Sequence, residues 1–349
     1  MKTLAVIIGA GASKDCVAQG SISAVDENVR PPLTKDLFEF RPSFNAILSK
    51  YPKVEALSEE IRVRLRSGEG LERVLKEINS RPDLQVKKQV LETQMYLQEL
   101  LWAVSDQFIT SGGSKFDTLV STLFNSPFEK ILFITLNYDL LLEKAIDRFS
   151  DHAFADISSY CPPSSKWLLI KPHGSVNWGR ALETSINRSA ASMKEVLRYL
   201  SEEPTFSKTI TMVSGHDGLQ GFDDKARFNS GKILFPHLAL PLEGEKEFLC
   251  PDDHLERLQG ALADCTSFLF LGFSGLDPHV VDLMKGGPQA TDLMVVSKDK
   301  KSAEEVFKRL YVGARRILPQ RYSNPDGYLY DNGFAHFMES SEFRAFLKG

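Results

Sequence analysis

Cysteine is scarce in this 349-residue chain: Cys16, Cys161, Cys250 and Cys265 lie far apart and form no Cys-x-x-Cys pair. That spacing excludes a zinc knuckle and a disulfide framework, so the four read as reduced thiols. Long apolar runs are missing too. None approaches the ~20 residues of a membrane span, and the first is too short and too abruptly ended by glycine for a signal peptide. The expected location is the cytoplasm, without membrane contact. Nor is there an excess of one charge. The 42 Lys and Arg against 46 Asp and Glu leave a net -4, which gives no reason to expect direct nucleic-acid binding. Internal repeats and low-complexity tracts are absent.

What is present is a series of short apolar runs in a chain that is 42% hydrophobic, enough for a sizeable core. Leu4–Ile8, Ile131–Thr135, Trp167–Ile170, Ser267–Leu271 and Leu293–Val296 are nearly continuous in apolar residues, as strands are when helices cover both faces of a parallel sheet. Helical spacing follows three of them, at Leu140–Ile146, Pro278–Met284 and Ala303–Leu310. The expected fold class is α/β, a Rossmann-like doubly wound parallel sheet. Two tracts interrupt the alternation. Residues 44–108 carry apolar residues at helical spacing, such as Leu71, Val74, Leu75 and Ile78, and predict a helical insertion. Residues 180–230 are polar, with a helix expected near Lys194–Leu200 and a Gly-rich loop at Ser214–Gly221, and predict a second, small, zinc-free insertion.

Four motifs fall just after predicted strands, at the carboxyl edge where open α/β sheets bind ligands. Gly9-Ala10-Gly11-Ala12-Ser13 suits close approach of a pyrophosphate to backbone, although Lys14 stands where a Rossmann fingerprint has its third glycine, so a generic tight turn competes. In Thr135-Leu136-Asn137-Tyr138-Asp139, Asn137 and Asp139 are suited to sugar hydroxyls, and Asp139 equally to capping the next helix. In Lys171-Pro172-His173-Gly174-Ser175, the histidine sits in a loop shaped by proline and glycine and is the natural proton acceptor, with an ordinary pKa of ~6.5. Gly272-Phe273-Ser274-Gly275-Leu276-Asp277 is not a nucleophile elbow, because its second glycine comes one residue early. Asp277 before Pro278 also reads as a helix N-cap. The remaining histidines, His152, His216, His237, His254, His279 and His336, show no ligand-like pairing and read as surface or packing residues.

In order and spacing, these four pieces closely resemble the sirtuin superfamily, specifically its bacterial SIR2-like branch found in antiphage defence. Pro32-Leu33-Thr34 and Pro241–Phe248 share the likeness, which spans most of the chain. The resemblance implies a single NAD-binding domain over residues 1–349 that takes NAD as substrate and no metal. It implies pyrophosphate at Gly9, Ala10, Gly11 and Ser13, the adenosine side near Gly272 and Ser274, and the nicotinamide ribose near Asn137 and His173, with Asp139 and Asp277 also among the cofactor-binding residues. Asn137 would orient the ribose and the attacking water, and His173 would act as general base.

Two departures from deacylating sirtuins bear on the reaction. The zinc-cysteine spacing is absent, with residues 180–230 in place of the zinc module, and Leu136 stands where those enzymes usually have glutamine. Both favour water as acceptor, hence an NAD glycohydrolase that depletes NAD. The alternatives are a non-catalytic NAD or ADP-ribose sensor and a deacylase or ADP-ribosyltransferase. Because such an enzyme must be held inactive at rest, the expectation includes a homo-oligomer or a separately encoded partner, such as a helicase-type ATPase or an Argonaute-like protein. The tract 44–108 is the candidate interface, although its apolar stripe reads first as core packing.

Overall fold

Leu4 to Ile8 are shut off from water, so the first strand, β1 (Thr3–Ile8), is covered on both faces. In the computed structural model of the chain, which describes residues 2–17, 30–110, 114–151, 153–183, 205–213, 228–229, 232–239, 248–314, 317–318 and 325–348, this strand is central. Further strands are β2 (Lys130–Thr135), β3 (Trp167–Ile170), β4 (Gly174–Leu182), β5 (Phe206–Met212), β6 (Phe228–Asn229), β7 (Lys232–Leu238), β8 (Cys265–Leu271), β9 (Asp292–Val296) and β10 (Leu329–Tyr330). Six of them form one all-parallel sheet in the order β10-β9-β8-β1-β2-β3. Chain order reverses at β1, so the switch point lies between β1 and β8, the place where doubly wound sheets bind ligands. The predicted strands correspond to β1, β2, β3, β8 and β9. The two-residue β10 is too short to announce itself as an apolar run.

The helices are α1 (Ala10–Lys14), α2 (Pro42–Leu48), α3 (Pro52–Arg66), α4 (Leu71–Asn79), α5 (Leu84–Thr110), α6 (Lys115–Phe124), α7 (Leu141–Phe149), α8 (Asp252–Leu262), α9 (Pro278–Leu283), α10 (Lys300–Gly313), α11 (Gly333–Phe337) and α12 (Ser341–Lys348). Among them, α7, α9 and α10 coincide with the predicted helices to within a few residues. The first irregular tract is α2 to α5. Its stripe Leu71, Val74, Leu75 and Ile78 is buried, so these residues are core and not a free docking face.

The second tract differs from the expectation. No strand was predicted between Ile170 and Ser267, yet β4, β5, β6 and β7 form an antiparallel sheet in the order β5-β4-β7-β6. This sheet begins at Gly174, next to His173 and ahead of the expected Arg180 boundary. Its strands were hidden for physical reasons. β5 (FSKTITM) is largely polar and half exposed, β4 contains two glycines, and β7 contains Pro236. Pro236 faces Gly179 where the β4–β7 register shifts, an irregularity at which a strand tolerates proline. Val176 and Leu182 of β4 and Phe235 and Leu238 of β7 share a hydrophobic cluster with the helical tract, so that tract and the antiparallel sheet form one second core. The helix expected at Lys194–Leu200, the Gly-rich Ser214–Gly221 and most of Pro241–Phe248 lie outside the described residues.

The loops after β1 and β8 meet backbone to backbone. Gly9 donates its amide to the Leu271 carbonyl at 3.0 Å, and Gly11 donates to the Gly272 carbonyl at 3.2 Å. Gly272 has φ +55°, and a Cβ there would lie 2.1 Å from the Ala12 nitrogen. Left-handed backbone at a residue with a side chain costs about 1–2 kcal/mol before any clash. Gly272→Ala is therefore expected to lower the unfolding midpoint markedly. By contrast, Gly260→Ala, in α8 with nothing within 4 Å of the added Cβ, is expected to raise stability by about 0.5–1 kcal/mol. Denaturant unfolding of the two variants checks the contrast.

Candidate active site

Asn137 stands two residues past β2, buried to 7% exposure. Its amide proton goes to the Thr135 hydroxyl at 3.2 Å, and its side-chain nitrogen donates to the Gly9 carbonyl at 3.2 Å and the Ser13 hydroxyl at 2.8 Å. A carbonyl only accepts, so the contact with Gly9 fixes which end of the amide is nitrogen. Ser13 passes the chain on, donating its hydroxyl to Asp139 Oδ2 at 2.8 Å. The other end of the amide, Oδ1, is buried and has no hydrogen-bond partner among the described residues. A buried acceptor left unpaired is costly, and a ligand hydroxyl or a water would satisfy it.

Asp139 engages the protein with both of its carboxyl oxygens. Oδ2 takes the Ser13 hydroxyl, while Oδ1 accepts the Leu141 amide at 3.2 Å, steadying the start of α7. Burial pushes its carboxyl above the ordinary range, against the pull of the Lys171 charge and these two hydrogen bonds. Leu136 packs against the main core.

His173 lies on a turn closed by the Gly174 amide on the Lys171 carbonyl at 3.0 Å. Gly174 has φ +83°, and a Cβ there would lie 2.1 Å from the His237 carbonyl oxygen, so the turn requires glycine. The turn is pinned by its neighbours: Ala239 donates to the His173 carbonyl at 2.9 Å and Leu249 to the Pro172 carbonyl at 2.7 Å. The ring nitrogen Nε2 lies 2.6 Å from Asp277 Oδ2. Burial alone would raise the Asp277 carboxyl, but the His173 hydrogen bond, the Val280 amide and the charges of His173 and His279 hold it below the ordinary range. An ionised Asp277 accepts, so in the neutral ring Nε2 carries the proton and Nδ1 is the basic nitrogen. Asp277 also caps α9, taking the Val280 amide at 2.9 Å with Pro278 in the first turn.

These contacts join four loops into a ring: Gly11 to Gly272, Ser13 to Asn137 and Asp139, Tyr138 to His173 with ring centroids 6.4 Å apart, and His173 to Asp277. Strands β3 and β8 are separated by β1 and β2, so the last contact passes over the ends of both central strands. Ala10 opens α1, beside the ring. Ser274 stands apart: it is exposed, its hydroxyl accepts the Leu276 amide at 3.3 Å, and its carbonyl accepts from Arg309 at 2.5 Å. The amides of Gly9, Gly11 and Ala12 are already bonded within the protein, the last to the Gly9 carbonyl, so the glycines serve loop-to-loop contact first.

Of the other histidines, His237 is buried with Nε2 on the Leu249 carbonyl, and His254 is fully buried beside Tyr160 and Trp178, where burial lowers its basicity. His336 pairs with the Tyr330 hydroxyl and His279 packs against Phe248, whereas His152 and His216 lie outside the described residues. The four cysteines are buried and free, and burial pushes Cys161, Cys250 and Cys265 up to about 12. Among the described residues, no group of three or more His, Cys, Asp or Glu can hold a metal, and no helix is long and apolar enough to cross a membrane.

Sequence reasoning named Lys171 only as part of a motif and did not find Glu143. The available signal was a lysine directly after the fully buried run WLLI, where a charge needs a partner.

The family model for the SIR2-like domain matches residues 131–215, a stretch that includes Asn137, β3 and His173. This is the family whose likeness the motifs carry. Among curated proteins, none matches the chain. Similar solved structures include a mutant Sir2 homologue with 2'-O-acetyl ADP-ribose, 13% identical over 93% of this chain and 95% of that one, TM-score 0.39. Another, described under sirtuin substrate affinity, is 15% identical over 97% and 92%, TM-score 0.37. A third, Sir2 with a p53 peptide and NAD+, is 14% identical over 98% and 92%, TM-score 0.37.

The Asp277 carboxyl, held below its unfolded value of ~3.9, stabilises the fold above that value and loses this contribution as pH falls through the folded pKa. Wild type is thus expected to unfold at a higher temperature than Asp277→Asn near neutrality, with the gap closing as pH drops below ~4. A gap of equal size at every pH contradicts an ionised Asp277 held by the His173 ring and the Val280 amide.

Proposed function

We propose that this chain, with a SIR2-like signature over residues 131–215, is an NAD glycohydrolase that converts NAD and water to nicotinamide, ADP-ribose and a proton. The observation that carries the reading is Asn137, whose nitrogen is locked by Gly9 and Ser13 while its oxygen is buried and unpartnered. A fixed acceptor at the carboxyl edge of the sheet suits a ribose hydroxyl or the attacking water. The match to the SIR2-like model and the likeness of the four motifs to sirtuins support NAD as the ligand.

Loss of nicotinamide leaves an oxocarbenium-like ribose, so the protein must hold the sugar, favour developing positive charge and present a nucleophile. In this reading Asn137 aligns the ribose and water through Oδ1. His173 takes the water proton at Nδ1, and Asp277 on Nε2 fixes the tautomer and steadies the imidazolium that forms. Gly9, Ala10, Gly11 and Ser13 would face the pyrophosphate, with Gly272 and Ser274 toward the adenosine. Asp277 then belongs to the histidine more than to the cofactor, because both of its oxygens are engaged. Without a zinc-cysteine module and with Leu136 turned to the core, water is the favoured acceptor.

The wider proposal is an antiphage effector that depletes NAD and is held inactive until it self-associates or meets a separately encoded partner, a helicase-type ATPase or an Argonaute-like protein. Full activity of a strictly monomeric chain without a partner contradicts that part.

Incubation with NAD, under conditions that activate the chain, is expected to release nicotinamide and free ADP-ribose in equal amounts. His173→Ala is expected to lower kcat by ~10²- to 10⁴-fold, the usual contribution of general base catalysis, and Asn137→Ala to abolish turnover. Acetyl-ADP-ribose or a modified protein as product would indicate transfer to another acceptor. NAD binding without any product would indicate a sensor.

A further inference from the structure

One buried cation has no part in the chemistry above. Lys171, at the end of β3, is fully buried, with its ammonium 2.6 Å from the Asp139 carbonyl, 3.5 Å from the Tyr138 carbonyl and 2.6 Å from Glu143 Oε1. An ammonium has three N–H donors, and these acceptors match them in number. Two are main-chain carbonyls of the residues that follow Asn137. Glu143 comes from the first turn of α7 and is itself buried. Its Oε1 also accepts from the Tyr160 hydroxyl at 3.3 Å, and Asn177 of β4 donates to that hydroxyl at 3.0 Å.

We propose that Lys171, with Glu143 as its counter-charge, is a positioning residue that clamps the loop carrying Asn137 by its Tyr138 and Asp139 carbonyls. The role in turnover rests on the proposed NAD cleavage; the clamp on the loop does not.

Packing alone does not account for a lysine here. Desolvating each ion of a buried pair costs several kcal/mol, and well-packed apolar residues of similar volume are often as stable or more so. What apolar residues lack is direction. Lys171 joins β3 to the segment after β2 and, through Glu143, to the start of α7, so the backbone between Asn137 and Leu141 is held from beneath. That fixes the side chain of Asn137 against Gly9 and Ser13, and Asp139 with it. A displacement of ~1 Å in such a group is enough to cost ~10²-fold in rate.

The test separates stability from positioning. Lys171→Met alone leaves Glu143 buried without its counter-charge and is expected to destabilise the fold; adding Glu143→Leu is expected to restore the unfolding midpoint toward wild type. In the full-length double variant, amide hydrogens of residues 138–141 are expected to exchange at least ~10-fold faster. Its kcat for NAD cleavage is expected to fall ~10²-fold, with KM changed less than ~2-fold. Recovery of kcat together with stability, or unchanged exchange in this segment, overturns the proposal. If wild type does not cleave NAD under any condition, the functional reading fails, and the exchange result alone then decides the clamp. Should the double variant not fold, Glu143→Gln supplies the same exchange readout, with faster exchange expected and unchanged exchange overturning the proposal.

Discussion

A short hydrogen-bonded chain, from the Asn137 amide through the Ser13 hydroxyl to the Asp139 carboxylate, ties together the loops that leave the two central strands. Each link sets the next. The Gly9 carbonyl decides which way the Asn137 amide faces, the amide makes Ser13 an acceptor, and the Ser13 proton is thereby directed to Asp139. The chain closes only if α1 lies hard against the ends of β1 and β2. Glycine at 9, 11 and 272 lets the loops after β1 and β8 meet at the same edge, because a Cβ at any of them would fall within 3.0 Å of main-chain atoms in the opposing loop.

Around that chain the two layers have distinct tasks. The parallel sheet brings four loops to one edge, and the His173–Asp277 pair spans the ends of β1 and β2 to close them into a ring. The helical tract and the antiparallel sheet support the ring from outside. Ser105 of α5 accepts the Leu140 amide at 3.1 Å, and Gln98 of α5 donates to the Val176 carbonyl of β4 at 2.8 Å. The long helix therefore touches both the segment following Asn137 and the strand following His173.

The parallel sheet was legible because strands buried on both faces read as unbroken apolar runs, and the motifs were legible because each follows such a run. Asp277-Pro278 announced its cap in the same way. The antiparallel sheet was not legible: β5 is largely polar, and β4 and β7 carry glycine and proline, residues that ordinarily argue against a strand. Pairings across long separations were equally hidden. His173 and Asp277 are 104 residues apart, and Lys171 and Glu143 are 28 apart, so no local pattern links them. The glycines were read as room for a phosphate, while their immediate occupant is another loop of the same protein.

The central claim is that Asn137 is held in one orientation so that its buried oxygen meets the substrate. A crystal structure of the chain with ADP-ribose tests this most directly. The account predicts Asn137 Oδ1 within ~3.2 Å of a ribose hydroxyl or of a water on the ribose, with the nitrogen still on Gly9 and Ser13. A ribose bound away from Asn137, or an amide turned over to present its nitrogen to the sugar, would contradict it.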